Sequence, residues 1–342
     1  FPLIIFDRHG DYIPLFLKRK YLQSDVKIFY PKLKADSSII EMMIKKLGYS
    51  LTDPQQDCLD ALIGNLKHKS DDIKQFIESL TNYANAVKDR GGQIKDNETG
   101  TKYGASTLNV VIRSLRFVKD EIESMMKQNE SNREKYKQLE FEEMPDPKIN
   151  PEELISKGQV SIFYLAGYKD EVQSAIVAYI LEALFKHRTE KSPDVPPFQA
   201  IIEEAHNFIP NSKSGNTNLP STYAIKKIAQ EGRKFGCGLT IISQRPSLID
   251  QTVLSQCNSF MIFGISNPQD IRYLSNVMEY FEDSDVKSLT KLSIGESILA
   301  GQFVKFPLRV SIKHDKELEN DFIGNENFIN EAFNWGSKEN DE

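Results

Sequence analysis

Three groups of polar residues stand at the ends of apolar runs in this 342-residue sequence, and with an arginine at a helix end their types suit one chemistry. The run from Phe198 to Ile202 stops at Glu203 and Glu204. Two adjacent carboxylates in that position can divide the work of nucleotide hydrolysis: one holds the water shell of Mg²⁺, the other orients or deprotonates the attacking water. The same pattern also arises where a strand simply enters solvent. A second run, Gly238 to Ser243, leads to Gln244 and Arg245. The Gln244 amide can sense a γ-phosphate or fix a water, or it can mark an ordinary exit from strand to turn. Arg233, in Glu231-Gly232-Arg233-Lys234-Phe235-Gly236, sits in the last turn before a glycine cap. There a cation complements the helix dipole, and a fixed guanidinium can equally be offered to a neighbour's γ-phosphate. The first run, Phe1 to Phe6, delivers Asp7, Arg8, His9, Gly10, Asp11 and Tyr12. His9 reads as a strand-end residue rather than a general base. His206 follows the glutamates without an H-E-x-x-H pattern or a nearby ligand, so metal ligation is not expected of it.

These residues need a scaffold that brings strand ends together. Phe1–Phe6, Val160–Leu165, Phe198–Glu204 and Gly238–Gln244 share one grammar, a short continuous apolar run that ends in polar residues. Between the later ones lie helical patterns, Glu171 to Lys186 and Thr222 to Lys234. Strands alternating with helices predict a parallel α/β sheet, whose ligands bind outside the carboxyl ends of the strands. A fifth strand, Ser259–Phe263, precedes Asn267-Pro268, a cap and first-turn proline that open another helix. Gly295–Gly301 and Phe306–Ile312 read as a closing strand pair. From about Asp36 to Asn150 the rhythm changes to helical patterns: Ile39–Leu47, Gln55–Leu66, Ile73–Val87 and Leu108–Met126. This stretch reads as a helical insertion that returns through a charged, proline-containing linker from Glu142 to Pro151. The expected division is residues 1–35 and 151–314 as one core, 36–150 as the insertion and 315–342 as a tail.

Composition narrows the class. With 39% hydrophobic and 27% charged residues the chain can bury a sizeable core, which excludes disordered and low-complexity readings. No stretch approaches 18 consecutive apolar residues, and the first residues lack a secretion signal, so no membrane association is expected. Cys58, Cys237 and Cys257 are too few and scattered for a disulfide framework, which fits a reducing, cytoplasmic compartment. Residues 315–342 hold nine acidic residues and two lysines, a charge of −7 that exceeds the whole chain's −6 and leaves +1 on the other 314 residues. The remainder is close to neutral, and any nucleic-acid contact must be local or shared between subunits. Lys213, in the polar Pro210–Pro220 loop, and Lys226 and Lys227 are the candidates for contact with a DNA backbone.

Together, Asp7-Arg8-His9-Gly10-Asp11-Tyr12, Ile201-Ile202-Glu203-Glu204-Ala205-His206, Gln230 to Gly236 and Ile242-Ser243-Gln244-Arg245-Pro246-Ser247 closely resemble the HerA family of the HerA/FtsK superfamily. The resemblance covers most of residues 1–314. It implies a RecA-like P-loop NTPase core with a mostly parallel sheet, and a homo-hexameric, ATP-driven translocase or helicase on double-stranded DNA. It implies ATP and Mg²⁺ as cofactors, with Glu203 as the acid near Mg²⁺, Glu204 as the catalytic glutamate, Gln244 as the sensor and Arg233 as an arginine acting in trans. Asp7 and His9 join Glu203 and Gln244 as nucleotide-side residues. The family's partners imply an effector such as a NurA-like nuclease or a sirtuin-like NAD hydrolase, in DNA end-processing or antiphage defence. Conjugation or secretion ATPases of the VirB4/TrwB type, and a non-hydrolysing scaffold ring that activates a partner, are the alternatives. One departure stands out: the family's GxxxxGK[ST] phosphate loop does not occur in these 342 residues. The expectation is that it lies upstream of Phe1 with the family's N-terminal barrel, and that the 342 residues alone bind ATP poorly.

Overall fold

The computed structural model describes residues 1–17, 25–31, 40, 43–44, 51–66, 73–97, 99–134, 141–190, 195–211, 219–277, 288–302 and 304–313. Its centre is a six-stranded sheet. Strand β1 (Leu3–Asp7) is apolar on both faces and lies between β6 (Gln159–Tyr164) and β7 (Phe198–Ile202). Beyond them come β8 (Cys237–Ile241) on one side, and β2 (Asp25–Tyr30) followed by β5 (Phe141–Glu143) on the other. All five pairings are parallel. Runs of apolar residues without alternation are what a sheet covered on both faces requires.

Two strands of this sheet depart from the sequence expectation. β2 was not anticipated, because Asp25-Val26-Lys27-Ile28-Phe29-Tyr30 mixes polar and apolar residues and is buried only in its second half. β5 forms the sheet edge where a return linker was expected, and it falls within the residues assigned to the insertion. Three residues are too short a run to stand out in a charged segment. A third departure concerns β9 (Ser259–Phe263), which does not extend the parallel sheet. It pairs antiparallel with β10 (Glu296–Gly301), and β10 pairs antiparallel with β11 (Leu308–Ser311). Ile262 and Ile298 pack inward with Leu274 and Leu289, while Met261 and Phe263 remain exposed. That one-sided burial belongs to an antiparallel sheet.

The helices follow the expected periods. In chain order they are α1 (Tyr12–Leu17), α2 (Asp53–Asn65), α3 (Ile73–Asp89), α4 (Ala105–Glu134), α5 (Pro151–Leu154), α6 (Asp170–Thr189), α7 (Pro220–Phe235), α8 (Gln251–Ser255) and α9 (Pro268–Val277). A two-stranded hairpin, β3 (Ile94–Lys95) with β4 (Lys102–Tyr103), joins α3 to α4. Of the expected helix Ile39–Leu47, only residues 40, 43 and 44 are described, and all three are helical. One apolar cluster links the two regions, with Leu59, Phe76, Leu80 and Leu115 of α2, α3 and α4 in the same core as Phe6, Phe163 and Leu181. α6 carries acids in its first turn and Lys186, His187 and Arg188 in its last, as the helix dipole favours, and it packs along α7.

α7 fixes the geometry around Arg233. Pro220 opens it, and Gly236, at φ 72°, closes it by returning its N–H to the Gly232 and Arg233 carbonyls. Arg188 donates from Nε to the Phe235 carbonyl and from Nη1 to that of Val195, at 2.7 and 2.8 Å. The end of α7 is thereby pinned to the chain entering β7. It lies at the amino edge of the sheet.

Candidate active site

The opposite, carboxyl edge gathers the acids. Phe6 is level with Ile202, and Ile202 with Ile241, so Asp7, Glu203 and the chain leaving β8 emerge side by side. Asp7 is fully buried and its carboxylate is spent locally. Oδ1 accepts from the amides of Gly10 and Asp11, at 2.8 and 3.1 Å, and Oδ2 from that of Tyr12 at 3.1 Å. Its role here is to shape the 8–12 loop and start α1. Burial raises its pKa against the lowering effect of those amides. His9 stands exposed in that loop.

Glu203 is different, because Oε2 is buried with no hydrogen-bond partner. Its carboxyl is pushed up to about 7, first by burial and then by the charges of Asp7, Asp11 and Glu204, with Arg8 opposing. Arg8 donates from Nη2 to Asp170 Oδ1 in the first turn of α6 at 2.7 Å, and its Nη1 is buried and unpaired. The cluster also raises the Tyr12 phenol to about 12, by burial and by the neighbouring Glu203, Asp7 and Asp11.

Glu204 is the one non-glycine residue at positive φ among the described residues, at φ 45° and ψ 46°. A left-handed backbone costs such a residue about 1–2 kcal/mol and persists only where its surroundings hold it. They do so on both sides. The Ala205 amide donates to the Ile242 carbonyl at 2.9 Å, locking the turn to the exit of β8. Gln244 Nε2 donates to Glu204 Oε1 at 2.9 Å, and His206 Nδ1 lies 3.2 Å from Oε2. Ser243 Oγ is 3.0 Å from the same ring nitrogen and accepts from the Arg245 amide at 3.1 Å. Farther out, Arg245 Nε lies 3.6 Å from Asp270 Oδ2, and Asp270 Oδ1 accepts from the Ser247 amide at 2.9 Å.

Asp7, Glu203, Glu204 and Gln244 therefore meet at one edge, as the sequence predicts. Arg233 does not join them within the chain; it is exposed at the far edge. Lys226 and Lys227 lie in the middle of α7. Lys226 pairs with Asp250 at 2.8 Å, and Lys227 sits over the Phe185 ring. Lys213 lies outside the described residues. Sequence reasoning missed Arg8, Ser243 and Asp270, and weighed His206 only as a metal ligand. Its place two positions after Glu204 was the one available signal for His206.

A buried, unpaired carboxylate oxygen beside other acids fits a hard cation. Mg²⁺ takes one or two protein carboxylates and fills its remaining positions with water and phosphate. Among the described residues no three His, Cys, Asp or Glu form a metal cage, which Mg²⁺ held in that way does not need.

The family model for the central domain of the helicase HerA matches residues 1–184. The chain belongs to that family. The DNA double-strand break repair helicase HerA of Saccharolobus solfataricus is 34% identical over 221 residues, covering 60% of this chain and 43% of that protein. Its namesake from Pyrococcus furiosus is 25% identical over 358 residues, covering 92% and 60%. The chain thus spans about half the length of these HerA relatives. Among solved structures, the bacterial conjugative coupling protein TrwB, in its ΔN70 form, aligns with a TM-score of 0.50 at 11% identity, over 92% of this chain and 79% of that one. That likeness concerns the fold, and it agrees with the RecA-like core expected from the sequence. No helix among the described residues is long and apolar enough to cross a membrane.

Proposed function

We propose that this HerA-family chain carries the hydrolytic acids of an ATP-driven motor on duplex DNA, working as a homo-hexameric ring with nucleotide bound between copies. The observation that carries the reading is the carboxyl edge. There Glu203 offers an unpaired buried oxygen, and Glu204 is held by Gln244 one strand away. Mg²⁺, when bound, neutralises charge on the phosphate oxygens. Glu203 would hold it through its water shell. Glu204 would take a proton from the attacking water, with Gln244 orienting that water and reporting the γ-phosphate. Arg233 would act on the site of an adjacent copy. The DNA-repair helicase names of the relatives support duplex DNA as the track. A NurA-like nuclease or a sirtuin-like NAD hydrolase is the kind of effector the family resemblance adds.

Because no GxxxxGK[ST] loop occurs in the 342 residues, they lack that cradle for the β- and γ-phosphates. Titration of the 342-residue chain with a fluorescent ATP analogue should show weak binding, and a tight complex would contradict this. The reading itself is tested by ATP hydrolysis in the protein at its natural length, with and without duplex DNA. DNA-stimulated turnover that falls by about 100-fold or more in Glu204→Gln is expected for loss of a catalytic base. Partner activation that survives the same substitution would favour a scaffold ring.

A further inference from the structure

We infer that His206 is the positioning residue of the catalytic glutamate: its Nδ1–H holds the Glu204 carboxylate in place opposite Gln244 and ties it, through Ser243, to the loop leaving β8. The inference rests on the proposed role of Glu204 and goes beyond it. Nδ1 hydrogen-bonds with Ser243 Oγ and stands 3.2 Å from Glu204 Oε2, and because a carboxylate oxygen accepts only, a protonated Nδ1 is attracted to it where a bare lone pair would be repelled. Ser243 Oγ, 3.0 Å from the same nitrogen, then acts as an acceptor. It accepts from the Arg245 amide as well, which its two lone pairs allow. The Nδ1–H tautomer is the one that suits both oxygens facing the ring nitrogen.

The local backbone explains why such a hold is needed. Residues Ala205–Asn207 form a single 3₁₀ turn, and the amides of Ala205, Asn207 and Phe208 are all bonded within it or to β8's exit. These bonds fix where Glu204 starts, in a left-handed conformation, but not where its flexible side chain points. Gln244 donates to one carboxylate oxygen, and His206 Nδ1 faces the other at 3.2 Å. His206 also adds a bridge between two chain segments, the 203–208 turn and the 243–247 turn, through Ser243 Oγ. Asp270 anchors the second of these from α9, through the Ser247 amide and Arg245. The ring is only half-buried, so filling an apolar core does not account for it.

The first test needs no nucleotide. In ¹⁵N NMR of the 342-residue chain at about pH 8, where burial keeps the ring neutral, His206 should show the Nδ1–H tautomer. That preference should weaken in Glu204→Ala. The second test is kinetic, in the protein at its natural length. His206→Ala should lower kcat by about 10- to 100-fold, the cost of a misplaced catalytic group, while KM for ATP changes by less than about threefold. His206→Asn, whose amide nitrogen can replace Nδ1, should recover most of the loss. An Nε2–H tautomer, or an unchanged kcat in His206→Ala, would overturn the proposal even in an active enzyme. An inactive wild type would instead strike the hydrolytic reading of Glu204, leaving the tautomer to report whether the contact forms. If His206→Ala misfolds, the wild-type tautomer and the Asn variant still decide.

Discussion

Glu203 carries the sharpest electrostatic consequence at the scale of single residues. Burial and the neighbouring acids push its carboxyl up to about 7 in the folded chain, well above the ordinary glutamate value of about 4.3 that the unfolded chain keeps. Between those values the folded state holds a proton that the unfolded state has lost, so stability falls as pH rises through that window. Above it the full penalty remains, because a charge sits buried among Asp7, Asp11 and Glu204 without a partner. Removing the charge should therefore stabilise the metal-free protein. Thermal melts without Mg²⁺ should give Glu203→Gln a higher Tm than wild type at about pH 8, with the difference closing towards about pH 4. Millimolar Mg²⁺ should raise the wild-type Tm at the upper pH and leave the variant unmoved. A wild type more stable than the variant at high pH would mean that Glu203 is already satisfied and free of strain. Arg8 belongs to the same balance, since it alone among the named neighbours lowers the Glu203 pKa.

At the scale of elements, one glycine shows how tightly the scaffold is set. Gly232 lies in the last turn of α7, and a Cβ there would stand 2.5 Å from the Cys237 carbonyl oxygen and 2.9 Å from Ile228 Cγ2. The first obstacle is backbone at the start of β8, which cannot swing away. Gly232→Ala should destabilise the chain by about 1–3 kcal/mol despite the better helix propensity of alanine, read as a lower denaturant midpoint at constant m-value. An unchanged midpoint would show that α7 is not packed this closely. Elements of this kind were legible in the sequence to the extent that their signal is local. β1, β6, β7 and β8 announce themselves as short, mostly apolar runs that end in polar residues, and α7 by its proline and glycine ends. Their carboxyl ends therefore located Asp7, Glu203, Glu204 and Gln244 in advance. What escaped was non-local. β5 makes sense only as the partner of β2, and β2 as the partner of β5 and β6. The Arg8–Asp170 pair spans 162 positions, and Asp270 reaches Arg245 and Ser247 from a helix beyond an intervening strand. No spacing rule connects such residues before the sheet has formed.

At the scale of the whole molecule, the placement of Arg233 constrains how the site can be completed. α7 runs antiparallel to the strands it covers, so its last turn must lie at the amino edge while Glu203 and Glu204 lie at the carboxyl edge. Gly236 and Arg188 hold that turn in place, which excludes a swing of Arg233 to its own chain's acids without melting the helix end. An arginine so placed either serves the helix dipole alone or meets the carboxyl edge of another copy, in a head-to-tail contact of the kind that closes rings. The two roles separate in a mixing experiment. Arg233→Ala and Glu204→Gln should each be inactive in ATP hydrolysis. In a mixture, a contact that pairs the intact Glu204 of one variant with the intact Arg233 of the other is complete. Equal mixing with free exchange should restore about one contact in four, and activity in proportion. Full activity of Arg233→Ala alone would assign the arginine to the helix end. Inactive single variants that stay inactive at every mixing ratio, with subunit exchange verified, would place both defects in one copy. That outcome would require α7 to unwind at Gly236 during the reaction, because nothing shorter brings the two edges of the sheet together.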